Sequence, residues 1–189
     1  MQELASAATL IDLLSTRGGD SYFGEPVTVL EHSLQAAHFA SQTHSSKELI
    51  AAALLHDIGH LLHQKDEDIA EQGIDTRHEE LADVMLSQHL PPSVTVPIRL
   101  HVAAKRYLCF ADEAYHNALS PSSQLSLQLQ GGPMSAMEAA AFLAGSFAQE
   151  AIALRHWDDE AKIEDLHVAP VESYLPILQE LWLPEAKII

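Results

Sequence analysis

The sequence predicts an all-α protein, a helical bundle, and three observations support this class. Apolar residues recur with the period of an α-helix over several long segments. No run of strand length alternates convincingly between apolar and polar residues. Several of the helical patterns begin with Ser or Thr followed three residues later by Glu, the signature of a capping box. These pairs are Thr28–Glu31, Ser45–Glu48, Thr76–Glu79 and Ser135–Glu138.

The elements follow from these start signals and from breaks in the periodicity. We expect helices near residues 4–16, 28–43, 46–63, 77–89, 94–109, 135–157 and 171–183. Pro91 and Pro92 break the chain before the fifth helix, and Pro97 is expected in that helix's first turn, where its missing N–H matters less. Residues 111–134 are expected to form a polar connection that ends in a tight turn at Gly131-Gly132-Pro133.

Composition limits the class of protein and its partners. The 189 residues, 47% of them hydrophobic, predict one domain over residues 1–189. The net charge of -17 argues against a nucleic-acid partner and against docking on an anionic membrane. The start of the chain has no basic segment typical of a signal peptide, and no apolar run is long enough to span a membrane. With only one cysteine, Cys109, the sequence predicts a soluble, cytoplasmic protein.

One apolar stretch carries side chains that are costly to bury. Residues 51–63 read AAALLHDIGHLLH, which places His56 and Asp57 inside an apolar helix. An unpaired buried charge costs several kcal/mol or forces the group neutral. Further candidate donors lie on the other helices between the second and the sixth or directly after them: His32, His78, His101 and Asp158. Five consecutive helices of a bundle can aim such groups at one interior point, so the pattern predicts a metal site.

The spacing also limits how these groups meet. Neighbouring helical residues point about 100° apart. His56 and Asp57 therefore flank one metal only if the end of their helix points at it. His60, one turn beyond His56, suits a supporting or substrate-facing position. Imidazole and carboxylate suit iron, zinc and manganese alike, so the donor types do not choose the metal.

The order His32, His56-Asp57 and Asp158 resembles the HD-domain superfamily of α-helical metalloproteins, over roughly residues 20–165. Most members of this superfamily are phosphohydrolases that act on nucleotides. His78 and His101 go beyond the minimal pattern, and they imply a second metal, as in the dinuclear members.

A narrower resemblance involves five segments. YFGEPVTVLEHSLQAAHFA, AALLHDIGH, HVAAKRYLC, LQLQGGPMS and RHWDDEAK are similar to the mixed-valent di-iron oxygenases of phosphonate catabolism. The resemblance implies two iron ions, Fe(II)/Fe(III), with dioxygen and a small hydroxyphosphonate as partners. It implies cleavage of the C–P bond of a 1-hydroxy-2-(amino or trimethylammonio)ethylphosphonate, with release of phosphate and glycine or glycine betaine.

The family pattern also implies the metal ligands. One iron would be held by His32, His56, Asp57 and Asp158, and the other by Asp57, His78 and His101. Asp57 would then bridge the two ions. Asp158 is chosen over its neighbour Asp159 on the family pattern alone.

Substrate contacts are implied in the same way. Lys105, one turn after His101, would pair with the phosphonate, and His60 would hydrogen-bond the same group. Tyr22 and Glu25 match a lid pair in which the Tyr covers an iron while the site is empty and both side chains move when substrate enters. Glu25 could also attract an ammonium group on the substrate. Residues 122–130 are expected to contact substrate, although no single residue there is assigned.

Three functions remain open at this point. The first is the di-iron oxygenase, and the second is an HD phosphohydrolase whose metal activates water. The third is a non-enzymatic domain with a structural metal. Lys105, Tyr22 and Glu25 disfavour the third, since a structural site needs no open position. The five matching segments favour the first over the second.

Overall fold

The computed structural model describes residues 5–22, 24–62 and 76–184, and these parts of the chain contain helices but no β-strand. The α-helices are α1 (Ala7–Arg17), α2 (Val29–Gln42), α3 (Lys47–Leu55), α4 (His78–Leu86), α5 (Pro92–Ala111), α6 (Glu113–Ala118), α7 (Pro121–Leu129), α8 (Ala136–Ala144), α9 (Ala148–Glu160) and α10 (Leu175–Leu181). Within the described ranges, two 3-10 helices span Ile58–Leu62 and Val171–Tyr174. The all-α prediction is therefore confirmed.

Two of the predicted capping boxes start their helices as expected. At α2 the Thr28 hydroxyl accepts a hydrogen bond from the Glu31 amide, and the Glu31 carboxylate accepts one from the Thr28 amide. Ser135 and Glu138 make the same reciprocal pair at α8. Each box satisfies backbone N–H groups that the first turn leaves without a partner.

The other two predicted boxes are wrong. Helix α3 is capped one residue later, by Ser46, whose hydroxyl accepts from the Leu49 amide. Helix α4 begins directly after Arg77, which lies in the left-handed region at φ 48° and makes no side-chain cap. Thr76 therefore does not cap α4, although the chain still turns into the helix next to His78.

Several predicted boundaries also differ from the structure. The third helix ends at Leu55 and the chain continues as the 3-10 helix, while His63 lies outside the described residues. The helix expected over 135–157 is two helices, because Gly145 is extended and Phe147 has φ 65°. Pro97 lies in the second turn of its helix rather than the first, since α5 already begins at Pro92.

The expected polar connection over residues 111–134 contains two short helices, α6 and α7. Asp112 caps α6 by accepting from the Ala114 amide. Ser120 caps α7 by accepting from the Ser123 amide, with Pro121 at the first helical position. Pro is tolerated there because its N–H would have no helical partner. Polar capping residues therefore start helices in a segment whose polarity suggested a loop.

The helices that carry the candidate donors pack against one another. Helix α5 contacts α3, α4 and α9, and α2 contacts α3 and α9. Helices α1 and α10 contact each other, and α10 also contacts α3. Fully buried apolar side chains occur from α1 to α10: Leu10, Leu14, Leu54, Leu55, Ile58, Leu86, Leu90, Ile98, Leu154 and Leu178. Each contributes roughly 1.5–3 kcal/mol by leaving water, which holds the donor-bearing helices in place.

None of the helices in the described ranges combines the length and the hydrophobicity that crossing a membrane requires.

Candidate metal centre

Asp57 lies at the centre of the candidate site, with 2% of its surface exposed. It directly follows His56, the C-cap residue of α3, and it precedes the 3-10 helix. Because the helix ends here, His56 and Asp57 both point into the bundle. The two oxygens of Asp57 face different pairs of imidazoles, and this divides the site into two halves.

The first half contains His32 from α2 and His56. The two Nε2 atoms lie 3.1 Å apart, and they are 3.6 Å and 3.5 Å from Oδ2 of Asp57. Asp158, near the end of α9, adds a fourth donor, since its Oδ1 is 3.4 Å from Nε2 of His32 and 3.8 Å from Nε2 of His56. His32 and His56 are fully buried.

The second half contains His78, the first residue of α4, and His101 in the middle of α5. Their Nε2 atoms lie 3.0 Å apart, and they are 3.2 Å and 3.7 Å from Oδ1 of Asp57. One donor atom from each of Asp57, His78 and His101 lies within 4.8 Å of the others, and the same holds for His32, His56 and Asp57. Both triads are buried.

The orientation of the rings fits a metal cation. Nδ1 of His32, His56 and His101 hydrogen-bonds the carbonyl oxygens of Ala161, Ala53 and Ile98. A carbonyl only accepts, so each Nδ1 carries a proton, and in the neutral form of each ring the lone pair of Nε2 then points into the site. This arrangement, with one nitrogen held by the backbone, is typical of metal-binding histidines.

The spacing of the nitrogens agrees with this interpretation. Two lone pairs that face each other at 3.1 Å, as at His32 and His56, repel unless a cation lies between them. A metal about 2.1 Å from each nitrogen would separate adjacent donors by about 3 Å. The donor set therefore fits a metal centre, and Asp57 can serve both halves.

The electrostatics of the site favour metal-binding protonation states at Asp57 and His101. Burial alone raises the pKa of Asp57, but the charge of His56 and the hydrogen bond from His78 outweigh it and hold this pKa well below its usual range. Burial, together with the charge of His78, lowers the pKa of His101 to about 3. Asp57 is therefore an anion and His101 a neutral imidazole, the forms that bind metals.

Gly59 lets the 3-10 helix approach the start of α4. A Cβ at this position would lie 2.0 Å from the carbonyl oxygen of His78. Such a contact is impossible without moving the backbone. The close approach brings His78 next to His60, whose ring stacks on it with 3.9 Å between centroids. A glycine at position 59 therefore positions one side of the candidate metal centre.

Tyr22 covers the first half of the site. Its hydroxyl donates a hydrogen bond of 2.6 Å to Oδ2 of Asp57, and its ring stacks on His32 at 3.9 Å. Burial, and then the charges of Asp57 and Asp158, raise the pKa of the phenol well above its usual value. Tyr22 therefore stays protonated and acts as a donor.

Lys105 lies one turn after His101 on α5 and is 3% exposed. Its Nζ donates a hydrogen bond of 2.8 Å to Oγ of Ser126 on α7. Burial, and then the charge of Arg155, lower the pKa of Lys105 to about 7. Ser126 belongs to the segment 122–130, so the structure brings that segment to the lysine that the sequence singled out. His60 lies 3.9 Å from Oδ1 of Asp57.

Glu25 lies in the turn that follows Tyr22. The Glu25 amide donates to the Tyr22 carbonyl at 2.8 Å, which closes the turn. The Glu25 carboxylate forms an ion pair of 3.4 Å with Nζ of Lys162, just beyond α9. The sequence did not predict this lysine, since nothing in the spacing of residues 25 and 162 relates them.

Arg155 is a second residue that the sequence analysis missed. Its Nη1 donates to Oδ2 of Asp158 at 2.7 Å, which leaves Oδ1 facing His32. Its Nε donates to Asp159 at 3.0 Å and to the Tyr115 hydroxyl at 3.1 Å. Asp158 therefore faces His32 with one oxygen and Arg155 with the other, whereas Asp159 pairs with Arg155. An Arg one turn before an Asp, in RHWDDE, was the available signal.

Comparison with known proteins agrees with this geometry. Residues 29–121 match the HD domain family. The chain is 45% identical over 167 residues to the hydroxymethylphosphonate dioxygenase of Gimesia maris, which covers 88% of this chain and 83% of that protein. It is 40% identical over 169 residues to the [1-hydroxy-2-(trimethylamino)ethyl]phosphonate dioxygenase (glycine-betaine-forming) of Leisingera caerulea, which covers 89% and 86%. The resemblance inferred from sequence segments is confirmed.

Proposed function

Because the chain belongs to the HD-domain family, in the same group as two phosphonate dioxygenases, we propose that it is an oxygenase that cleaves the C–P bond of a hydroxyphosphonate with dioxygen. The balanced reaction consumes one dioxygen for each phosphate and converts the carbinol carbon to a carboxylate. The 2-amino and 2-trimethylammonio substrates that the family resemblance implied lie within this class, as does hydroxymethylphosphonate.

The division of the site by Asp57 is the observation that supports this function most directly. Oδ1 faces His78 and His101, while Oδ2 faces His32 and His56. A carboxylate between two sets of imidazoles is suited to hold two cations close together. We therefore propose His32, His56, Asp57, His78, His101 and Asp158 as the ligands of two iron ions, in the Fe(II)/Fe(III) state.

The iron pair, when bound, would supply the reaction with dioxygen and the oxidation of the substrate carbon, which no side chain can perform. The chain's own contribution is to hold the ions, orient the substrate and exclude water. Helix ends and helix interiors fix the ligands, and three backbone carbonyls fix their rings. Such preorganisation matters because small displacements of reacting groups are costly in rate.

Lys105 is proposed to bind the phosphonate. It is a buried cation in a chain of net charge -17, so it supplies local attraction for an anion that the overall field repels. Its present partner, Ser126, is a neutral hydroxyl that a phosphonate oxygen can replace as acceptor. His60, between Asp57 and His78, is placed to donate a second hydrogen bond to the same group.

Tyr22 and Glu25 are proposed to form the lid. The Tyr22 hydroxyl donates a hydrogen bond to Oδ2 of Asp57, and the Tyr22 ring covers His32. Substrate can enter only if the Tyr22 side chain moves. Glu25 lies in the same turn and moves with it. A lid of this kind excludes water and keeps the site closed until substrate arrives.

The bond to be broken argues for oxidation rather than hydrolysis. Many metal sites activate water as a nucleophile. Attack of such a water on a C–P bond to saturated carbon would have no good leaving group. Removal of hydrogen from the carbinol carbon makes that carbon able to release phosphorus. The HD phosphohydrolase remains the second hypothesis, and it predicts turnover of phosphate esters without oxygen.

The deciding experiment follows oxygen and phosphate in one sample. Iron-loaded protein is given hydroxymethylphosphonate or either 1-hydroxyethylphosphonate derivative, anaerobically and then with air, while an oxygen electrode and a phosphate assay run together. We expect phosphate only after air, with equal consumption of dioxygen. Full-rate hydrolysis of a phosphate ester without oxygen, and no reaction of any hydroxyphosphonate with it, would assign the protein to the phosphohydrolases.

A further inference from the structure

The four imidazoles of the candidate metal centre have two kinds of partner at their second ring nitrogen. Nδ1 of His32, His56 and His101 hydrogen-bonds a backbone carbonyl oxygen. Nδ1 of His78 instead faces a carboxylate, since it lies 3.6 Å from Oε2 of Glu79. One ligand of the second half therefore has an anion behind its ring, whereas the other three rings have a neutral carbonyl there.

The position of His78 in its helix explains this difference. His56 and His101 both use the carbonyl three residues earlier, in the preceding turn of their own helix. His78 is the first residue of α4, so no turn of that helix precedes it to supply such a carbonyl. The carboxylate of the following residue, Glu79, takes the corresponding position beside Nδ1.

Glu79 is directed toward the ring rather than toward solvent. Its side chain is only 12% exposed, and it lies in the first turn of α4. The amides at the start of a helix carry a partial positive charge, which stabilises a carboxylate there. Glu80, in the same turn, differs, because its side chain is 46% exposed and forms an ion pair with Arg77. Two adjacent glutamates therefore have different surroundings, and Glu80 is a matched control for Glu79.

The ring of His78 is fixed in an orientation that connects Glu79 to the centre. His60 stacks on its flat face at 3.9 Å, and its Nε2 lies 3.2 Å from Oδ1 of Asp57. A neutral imidazole that binds a cation through Nε2 carries its proton on Nδ1. Metal binding would therefore place an N–H group opposite the Glu79 carboxylate.

A carboxylate behind a ligand has a chemical effect that a carbonyl lacks. It makes the imidazole a more basic donor, which increases metal affinity. Its negative charge also opposes the addition of an electron to the nearby ion. The first half has the opposite arrangement, because Arg155 donates to Asp158 at 2.7 Å and places a cation behind that ligand. The two halves of the centre therefore differ in the charge that surrounds their ligands.

We propose that Glu79 is a positioning residue that acts through His78, where it orients this ligand and lowers the reduction potential of the iron pair. The inference rests on the proposed function, because it takes the proposed iron pair as its premise. The potential concerned is that of the one-electron reduction of Fe(II)/Fe(III) to the di-ferrous pair. A lower potential keeps the pair in the mixed-valent state.

The test separates the charge of Glu79 from its contact with the ring. Glu79→Gln keeps an oxygen that can accept from Nδ1 and removes the charge, whereas Glu79→Ala removes both. Glu80→Gln and Glu80→Ala are the matched controls. Titration of the iron-loaded protein with dithionite and redox mediators, without oxygen, gives the potential from the EPR signal of the mixed-valent pair. Titration of the metal-free protein with Co(II) gives the affinity for each ion.

We expect Glu79→Gln to raise the potential by about 59 mV, which corresponds to a tenfold weaker preference for the ferric over the ferrous ion. Glu79→Ala should in addition bind one of the two Co(II) ions about 10- to 100-fold more weakly. Both Glu80 variants should match the wild type. An unchanged potential in Glu79→Gln would overturn the proposal even if Glu79→Ala loses affinity, because that pattern is expected of a purely structural residue.

The outcome is independent of turnover, since neither titration uses a substrate or dioxygen. If the mixed-valent pair forms but no hydroxyphosphonate is turned over, the proposed function fails, and the potential of Glu79→Gln still decides the role of Glu79. If hydroxyphosphonates are turned over and the potential of Glu79→Gln equals that of the wild type, the proposed function stands and the role of Glu79 fails. If Glu79→Ala does not fold, Glu79→Gln alone decides.

Discussion

The Tyr22 hydroxyl donates a 2.6 Å hydrogen bond to Oδ2 of Asp57, the same oxygen that faces His32 and His56. One carboxylate oxygen is therefore shared between the proposed lid and the proposed metal position. Since the phenol is buried and its pKa is raised well above the usual value, the contact is that of a neutral donor with an anion. Such a charge-assisted bond is stronger than one between neutral groups.

Tyr22→Phe removes this bond while it keeps the ring. We expect the iron-loaded variant to consume dioxygen faster than the wild type in the absence of substrate, because the cover over the site is weaker. An oxygen electrode measures the rate. Tyr107→Phe is a suitable control, since Tyr107 packs near Phe142, on α8. Equal background oxidation in wild type and Tyr22→Phe would contradict a protective role for the hydroxyl.

Asp57→Ala should lose both metal ions, whereas His78→Ala or His101→Ala should lose mainly one. The reason is that Asp57 is the only one of the six proposed ligands that faces both pairs of imidazoles. Elemental analysis after expression with iron gives the occupancy, and Asp12→Ala, an exposed change on α1, is the control. Full metal content in Asp57→Ala would disprove the bridge.

Gly59→Ala should destabilise the fold and displace His78. The new Cβ would lie 2.0 Å from the His78 carbonyl oxygen, so the backbone must shift. We expect a loss of about 1–3 kcal/mol in the free energy of unfolding and lower occupancy of one metal. Gly19→Ala is the matched control, because a Cβ there meets nothing within 4 Å. Denaturant titration and metal analysis together check this, and equal values for the two variants would refute it.

Lys105→Ala should weaken phosphonate binding more than it disturbs the metals. A charge-assisted hydrogen bond contributes about 1.5–3 kcal/mol, or roughly 10- to 150-fold in affinity. Calorimetry with hydroxymethylphosphonate in the absence of oxygen measures the effect, with Lys47→Ala as the control. Unchanged affinity together with unchanged metal content would place the phosphonate elsewhere.

Lys105 also gives the stability a pH dependence with a definite sign. Burial, and then the charge of Arg155, lower its pKa to about 7 in the folded chain, against 10.5 for the ordinary side chain. Between these values the unfolded chain binds more protons, so the free energy of unfolding rises as pH increases. Denaturant titrations of the metal-free proteins at pH 7 and pH 9 check this. Between these two pH values, the free energy of unfolding of the wild type should increase relative to that of Lys105→Met. A difference that does not change with pH would contradict the lowered pKa.

The fold could be predicted because helical periodicity and capping signals are local. The boxes at Thr28 and Ser135 form as predicted. The single helix predicted over 135–157 is interrupted at Phe147, whose backbone is left-handed. This break could not be predicted, because the apolar residues around it follow a helical pattern. The polar segment 111–134 was predicted as a connection but contains two helices. The polar residues that cap these helices are equally common in loops, so they did not indicate helices on their own.

Only part of the candidate site could be predicted from the sequence. Five of the six proposed ligands were selected by residue type and position, and Asp158 was chosen over Asp159 by the family pattern. The structure brings all six together, and their assignment as ligands stays a prediction. Arg155 and Lys162 were missed because their partners depend on packing between distant elements. The cytoplasmic location and the absence of a nucleic-acid partner also stay predictions.

The donors of the candidate centre span the chain from His32 on α2 to Asp158 on α9. A metal bound to both would act as a reversible cross-link that closes a loop of more than half the polypeptide. Closing such a loop restricts the unfolded chain. Ligand binding to the folded state alone adds stability that grows with the logarithm of the free metal concentration divided by its Kd. The centre can be completed only after α9 has been synthesised and has packed against the other helices, so metal uptake would be a late step of folding. Removal of the metal by a chelator would remove the cross-link between His32 and Asp158.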